Sequence, residues 1–225
     1  MKTRKLFFYL LTVLMGGCVP VFSLHPLYTK ETVIFKQELL GDWADPNSPE
    51  NVWEFKRDDE SENAYKLIVE GDDGAKGLFE AHLVELKDRL FLDVYPAKQG
   101  FEEIFQAIEQ TAKDPNKAVW TFNMFCVVPI HTFLKIDSIE PALTMSLTDD
   151  DLMKELLKQD PNAVKHAVLE EDRYVLTAST KELQAFVLKY ADGRKLFEKP
   201  IVLNRTKVKG RQKSEDKKSG GSTDK

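Results

Sequence analysis

Apolar and polar positions alternate with a period of two over much of this chain, the pattern of strands with one buried face. The stretch Leu40–Pro96 shows it most fully. In Val52–Arg57, Trp53 and Phe55 share one face while Glu54 and Lys56 share the other. Tyr65, Leu67 and Val69 line up within Ala64–Glu70. In Gly77–Leu86, Phe79, Ala81 and Leu83 alternate with Glu80 and His82. The apolar phase then slips to Val84 and Leu86, which predicts a bulge near Leu83. Lys87-Asp88 reads as a tight turn into Arg89–Tyr95, where Leu90, Leu92 and Val94 take one face and Phe91, Asp93 and Tyr95 the other. A strand apolar on both faces must be covered on both sides.

A covering helix is available next, because Phe101, Ile104, Phe105 and Ile108 fall at helical spacing. Further strands are expected at Ala118–Val127, Ile130–Asp137 and Leu143–Leu147. A second helix is expected from Thr148, with Thr148 and Asp151 as a capping box and Leu152, Met153, Leu156 and Leu157 as its buried stripe. A hairpin follows at Val164–Leu169 and Arg173–Ala178. The third helix has Ser179 as its cap, Glu182 three residues on, and Gly193 as its stop. Pro200–Leu203 reads as a last strand, and Val33-Ile34-Phe35 as a short early one. The prolines of Ala44–Pro49 predict a loop there. Together these elements predict a mainly β (α+β) fold: an antiparallel meander forming an open or lipocalin-like barrel, with about three packed helices.

The two ends of the chain stand outside this pattern. Lys2, Arg4 and Lys5 precede a short apolar run, Leu6–Met15, and then Gly16-Gly17-Cys18. The run is too short to span a bilayer, and it reads as a secretory signal. Leu14-Met15-Gly16-Gly17-Cys18 resembles a bacterial lipobox, with Met15 standing where the usual pattern has Leu. The resemblance implies cleavage before Cys18 and acylation of its thiol, palmitate included. Several acyl chains anchor stably, since each buried CH₂ contributes about 0.8 kcal/mol. Val19 follows the cysteine, which by the same resemblance implies the outer membrane, facing the periplasm. The other reading is an ordinary leader cut near Ser23, with Cys18 discarded. After Asn204 the hydrophobic pattern stops. Residues 205–225 hold eight Lys/Arg against three Asp/Glu and read as a disordered basic tail. The tail is either simply solvated or rests on an anionic surface. The expected domains are therefore a signal peptide over 1–17, a lipidated tether and first segment over 18–39, a β-rich domain over 40–204, and the tail.

Composition narrows this little. Among 225 residues, 42% are hydrophobic and 31% charged, as in an ordinary globular protein. A net charge of -5 argues against nucleic acid as a partner. Cys126 is the only cysteine besides Cys18, so a mature lipoprotein has no internal disulfide, and its apolar neighbours mark it as a small core residue.

Two family resemblances can be stated. Gly41-Asp42-Trp43 resembles the Gly-x-Trp opening of lipocalins. A late helix, a last strand and Arg205 also resemble the lipocalin end, where an arginine packs over that tryptophan. A broader likeness runs through Leu24-His25-Pro26-Leu27-Tyr28, Leu40-Gly41-Asp42-Trp43, Phe79-Glu80-Ala81-His82-Leu83, Phe91-Leu92-Asp93 and Pro129-Ile130-His131-Thr132-Phe133. These segments resemble a family of uncharacterised bacterial lipoproteins, which implies the localisation and no chemistry.

No nucleophile elbow, phosphate-binding glycine loop, zinc-binding His-Glu-x-x-His or paired Cys-x-x-Cys is present. Of the four histidines, His25 sits in the tether and His166 on a late, solvent-facing strand. His82 and His131 lie on strands with polar neighbours, and Asp93 is an acid in an apolar strand. If these three converge on one barrel face they can bind a metal or act as acid and base; otherwise each satisfies a backbone group or a tyrosine hydroxyl. Their spacing carries no metal signature, and no cofactor is implied. Asp149-Asp150-Asp151 is helix-start chemistry and not a calcium loop. The expectation is a membrane-anchored envelope lipoprotein, non-enzymatic, binding an apolar ligand or a protein partner. Trp53, Phe55, Tyr65 and Phe79 are the candidate ligand-lining residues. The alternative is an envelope hydrolase or isomerase using His82, Asp93 and His131.

Overall fold

The computed structural model describes residues 21–71, 74–100, 102, 128–169, 173–192 and 196–206. Among the described residues these elements follow in order: β1 Phe22–Ser23, β2 Val33–Ile34, a 3-10 turn Gln37–Leu39, β3 Gly41–Asp45, β4 Ser48–Arg57, β5 Ala64–Glu70, β6 Lys76–Leu86, β7 Arg89–Pro96, β8 His131–Ser138, β9 Ala142–Thr148, α1 Asp150–Gln159, β10 His166–Val168, β11 Tyr174–Leu176, α2 Thr180–Tyr190 and β12 Phe197–Thr206.

Strands β3 to β9 form the expected meander. β12 then inserts between β9 and β3, and β8 pairs with β9, which closes eight antiparallel strands into a lipocalin-like barrel. The outer edge of β8 is shared: its first residues pair with β1, the later ones with β9. β1, β11 and β10 continue from there as a short flap outside the barrel.

Two apolar cores result. The inner one lies within the barrel and includes Trp43, Phe55, Tyr65, Leu67, Leu83, Leu92, Leu134 and Met145 among others. The outer one lies between the barrel wall and the helices, and includes Val84, Leu86, Phe91, Phe133, Met153, Leu183, Phe186 and Phe197. This second core explains the phase slip in β6. Its pairing with β5 and β7 shows no register shift, so the bulge expected near Leu83 does not occur. Val84 and Leu86 face outward into an apolar layer, while β2 continues the edge that β5 vacates.

The outer side of β7 is covered as its pattern demands. Among the described residues the cover is α2 and the N-terminal segment, where Leu27 is fully buried. Full burial of one leucine contributes about 2 kcal/mol. Residues 21–39, expected as tether and first segment, are thus packed from Val21 onward. The helix expected at Phe101, the strand Ala118–Val127 with Cys126, Gly193, the leader with Cys18, and the tail beyond Thr206 lie outside the described residues.

Three local expectations are corrected. The loop Ala44–Pro49 shrinks to Pro46-Asn47, because Asp45 and Ser48 are strand residues paired with each other and the Asn47 N–H donates to Asp45 Oδ1 at 2.7 Å. The cap of α1 is Asp149, whose Oδ1 accepts from the N–H groups of Asp151 and Leu152. Thr148 ends β9 instead, and its hydroxyl accepts the Val21 N–H at 3.2 Å. Arg205 and Thr206, expected in the tail, belong to β12. The start of α2 is as expected: the Glu182 carboxylate accepts both the N–H and the hydroxyl of Ser179.

Candidate functional site

Strand alternation sorts the candidate residues. On β6, β7 and β8 the inward positions are Ala81 and Leu83, Leu92 and Val94, and Leu134 and Ile136. His82, Asp93 and His131 take the opposite phase and stand together on the outer wall, so the three residues singled out by sequence converge. His82 and Asp93 are cross-strand partners. The Nδ1 of His131 lies 2.7 Å from Asp93 Oδ1, and with the carboxylate ionised the ring donates. Asp93 is fully buried, and its Oδ2 accepts the backbone N–H of Leu27 at 2.5 Å.

The N-terminal segment roofs this cluster. Tyr28 stacks on His82 with ring centroids 3.8 Å apart and planes 18° from parallel. From the other side α2 grips the same segment. Thr180 Oγ1 donates to the Pro26 carbonyl at 2.7 Å, and Gln184 Nε2 to the Leu27 carbonyl at 2.8 Å. Glu80 and Tyr95, each two residues from a candidate and therefore on the same face, complete the cluster. Glu80 Oε1 lies 3.4 Å from His82 Nε2, and the Tyr95 ring packs 4.4 Å from that of His131. The alternation could have shown Glu80 and Tyr95. Tyr28, far away in the chain, carried no such signal.

Burial dominates the electrostatics. It pushes His82 below its ordinary value, with Asp93 opposing in part, so the ring is held neutral. His82 Nδ1 is buried without a hydrogen-bond partner among the described residues. Burial raises Glu80, and the carboxylates of Asp58 and Asp93 add to this. Tyr28 is pushed up to about 12, first by burial and then by Asp93 and Glu80.

A carboxylate orienting an imidazole is the arrangement that prepares a general base. Here both carboxylate oxygens are engaged, and no hydroxyl or thiol among the described residues bonds the other ring nitrogen of His131. Nor does any group of three His, Cys, Asp or Glu among the described residues have the geometry to hold a metal ion.

The four ligand-lining candidates all belong to the inner core. Phe55 and Tyr65 are buried and meet edge to face at 6.2 Å. Tyr65 also stacks on Phe35 at 4.6 Å, and its hydroxyl accepts from Lys36 N and donates to Lys36 O. That end of the barrel is plugged. Trp53 and Phe79 are partly buried and sit toward the opposite end.

Fold and site define a lipocalin-like barrel, apolar within, wrapped by its own N-terminal segment over a buried polar cluster. No protein-family model, curated protein or solved structure matches the chain.

Proposed function

We propose that this chain is a lipoprotein of the bacterial cell envelope, anchored through Cys18 and facing the periplasm from the outer membrane. Its barrel is a non-enzymatic module that binds an apolar small molecule or a protein partner. The observation that supports this reading best is the separation of chemistry between the two faces of the wall. The inner core holds apolar and aromatic side chains, whereas Glu80, His82, Asp93 and His131 all stand outside. An eight-stranded barrel is the size that either fills with side chains or admits one small ligand. The plugged end is filled by Phe35, Leu39, Phe55 and Tyr65, so an apolar ligand enters at the end marked by Trp53 and Phe79.

Titration of the full chain with a dansylated long-chain fatty acid tests the binding role. Saturable binding is expected, weakened at least about tenfold by Trp53→Ala or Phe79→Ala and unchanged by His131→Ala. No saturable binding would remove the small-molecule reading and leave the protein partner. Radiolabelled palmitate tests the anchor: label is expected in the wild type and absent from Cys18→Ala.

The alternative, an envelope hydrolase or isomerase acting through His82, Asp93 and His131, draws support from the 2.7 Å contact of Asp93 with His131. It ranks second because Asp93 also holds the Leu27 backbone and the cluster is roofed. Turnover of an ester or epimerisable substrate that disappears in His131→Ala would reverse the ranking.

A further inference from the structure

Between β1 and β2 the chain crosses the outer wall, and both ends of the crossing are fixed in the sheet. Phe22 and Ser23 pair with β8 and β11, and the Leu24 N–H donates to the Leu176 carbonyl. Val33 and Ile34 pair with β6, and the Glu85 N–H donates to the Thr32 carbonyl. Among the described residues, backbone-to-backbone bonds of residues 25–31 run only to the segment's own end, where Thr32 and Val33 donate to the Thr29 carbonyl. Side chains hold this middle part instead. Asp93 accepts the Leu27 N–H, Thr180 and Gln184 donate to the Pro26 and Leu27 carbonyls, Leu27 is buried, and Tyr28 lies flat on His82. The stack on His82 is the hold that a proton changes.

His82 has Ala64 and Asp93 as its ladder partners, so its neighbours on either side belong to the barrel wall. Its Nε2 faces Glu80 Oε1, while Nδ1 has no hydrogen-bond partner among the described residues. The neutral ring fits this site with its proton on Nε2 and a lone pair on Nδ1. A second proton goes to Nδ1 and makes it a donor without an acceptor, in a residue only 5% exposed. A charged, unsatisfied group is costly there, and admitting water relieves the cost. The neighbour that can move aside is Tyr28, because it stands on the part of the segment that joins no ladder.

We propose that residues 24–32 form a strap that opens and closes with the protonation of His82, closed over the polar cluster while the ring is neutral and lifted between its fixed ends when the ring is charged. Lifting withdraws the Leu27 N–H from Asp93 and bares the Asp93–His131 pair, so the cluster is sealed at neutral pH and meets solvent in acid. The groups around the ring set the balance. Burial holds His82 below its ordinary 6.5; Asp93 on β7 and Asp58 after β4 oppose this, and His131 on β8 adds to it. Glu80, beside Nε2, is raised by burial, and Lys66 of β5 stands opposite it in the ladder. Tyr28, pushed up to about 12, stays neutral, and His25, Lys30 and Glu31 of the strap are exposed. The strap is therefore held above 6.5, and opening becomes about tenfold easier for each pH unit below 6.5 until the closed ring also takes the proton.

Amide exchange of the full chain, corrected for the chemical rate at each pH and read by mass spectrometry, tests this. Protection of peptides covering residues 24–32 is expected to fall about tenfold between about pH 7.5 and 5.5, while β4 and β5 keep theirs. His82→Phe keeps the stack on Tyr28 and cannot take the proton, so its strap should stay protected across this range. Tyr28→Ala should expose the strap already at the higher pH, and His25→Gln should retain the wild-type drop. In the wild type the midpoint of the drop should coincide with the titration of the His82 ring followed by NMR, a readout that needs no variant to fold. A strap equally protected at both pH values, a drop shared by β4 and β5, a drop that persists in His82→Phe, or a midpoint that follows His131 instead overturns the proposal.

Discussion

The guanidinium of Arg205 lies over the indole of Trp43, 4.2 Å from the ring centroid, on strands β12 and β3 that pair directly. Its nitrogens donate to the Leu40 carbonyl at 2.8 Å, to the Glu38 carbonyl at 2.6 Å and to Glu140. Trp43 Nε1 donates in turn to the Leu39 carbonyl at 2.9 Å. One side chain thereby ties the last strand to the 3-10 turn that plugs the barrel. Gly41 makes room for it: φ there is +115°, and a Cβ would come within 3.0 Å of Arg205 Nη1. Arg205→Ala is expected to destabilise by about 2 kcal/mol through the lost ring contact and carbonyl bonds. Arg205→Lys should recover only part, since an ammonium cannot span both carbonyls. Urea denaturation measures both.

Asp93→Ala should cost about 3 kcal/mol, because it leaves the Leu27 N–H and a buried histidine nitrogen without their acceptor. The loss is expected to be local first. Limited proteolysis should cut within residues 24–32 faster than in the wild type, while amide exchange in β4 and β5 stays slow.

The roofed histidine predicts a pH dependence. Burial lowers His82 from its ordinary value of 6.5, so folding favours the neutral ring. The stability this contributes is present above 6.5 and is lost as pH falls through the folded value. Glu80 runs the other way. Its folded value lies above the ordinary 4.5, so its contribution is present at low pH and fades as pH rises. Asp58, Asp93, His131 and Tyr28 face the same cluster and remain in all variants compared. In a Glu80→Gln background, thermal stability should drop as pH falls below 6.5. His82→Phe in that background keeps the stack on Tyr28 and should remove this drop. An unchanged pH profile would refute the assignment.

At α1, Asp149→Ala should cost about 1 kcal/mol, because two helix N–H groups lose their acceptor. Thr148→Ala should leave helix content unchanged and loosen the attachment of Val21 instead. Circular dichroism and proteolysis at the N-terminus separate the two effects.

Much of this arrangement was legible along the chain. The strand patterns located seven of the eight barrel strands, and the apolar residues on both faces of Arg89–Tyr95 marked a wall covered on both sides, whereas the slip at Val84 suggested a bulge that the unbroken register of β6 does not contain. Ser179 and Glu182 announced the start of α2. His82, Asp93 and His131 were visible as polar residues within apolar strands. These are local facts: a strand shows its two faces, and a helix its cap, in neighbouring residues. Closure of the barrel was not local. It depends on β12 reaching β3 and on β8 turning from β1 to β9 along one edge, which no nearby residue encodes. The partner of each polar group was not local either. Asp93 meets Leu27 and His82 meets Tyr28 because the N-terminal segment crosses three strands under the grip of α2. The sequence by itself determined which residues could face a core, and only the tertiary structure decided that there are two cores and that the polar cluster lies between them and the chain's own beginning. The physical reason is that alternation fixes the side of a strand on which a residue stands, while what covers that side is set by contacts between residues far apart in the chain.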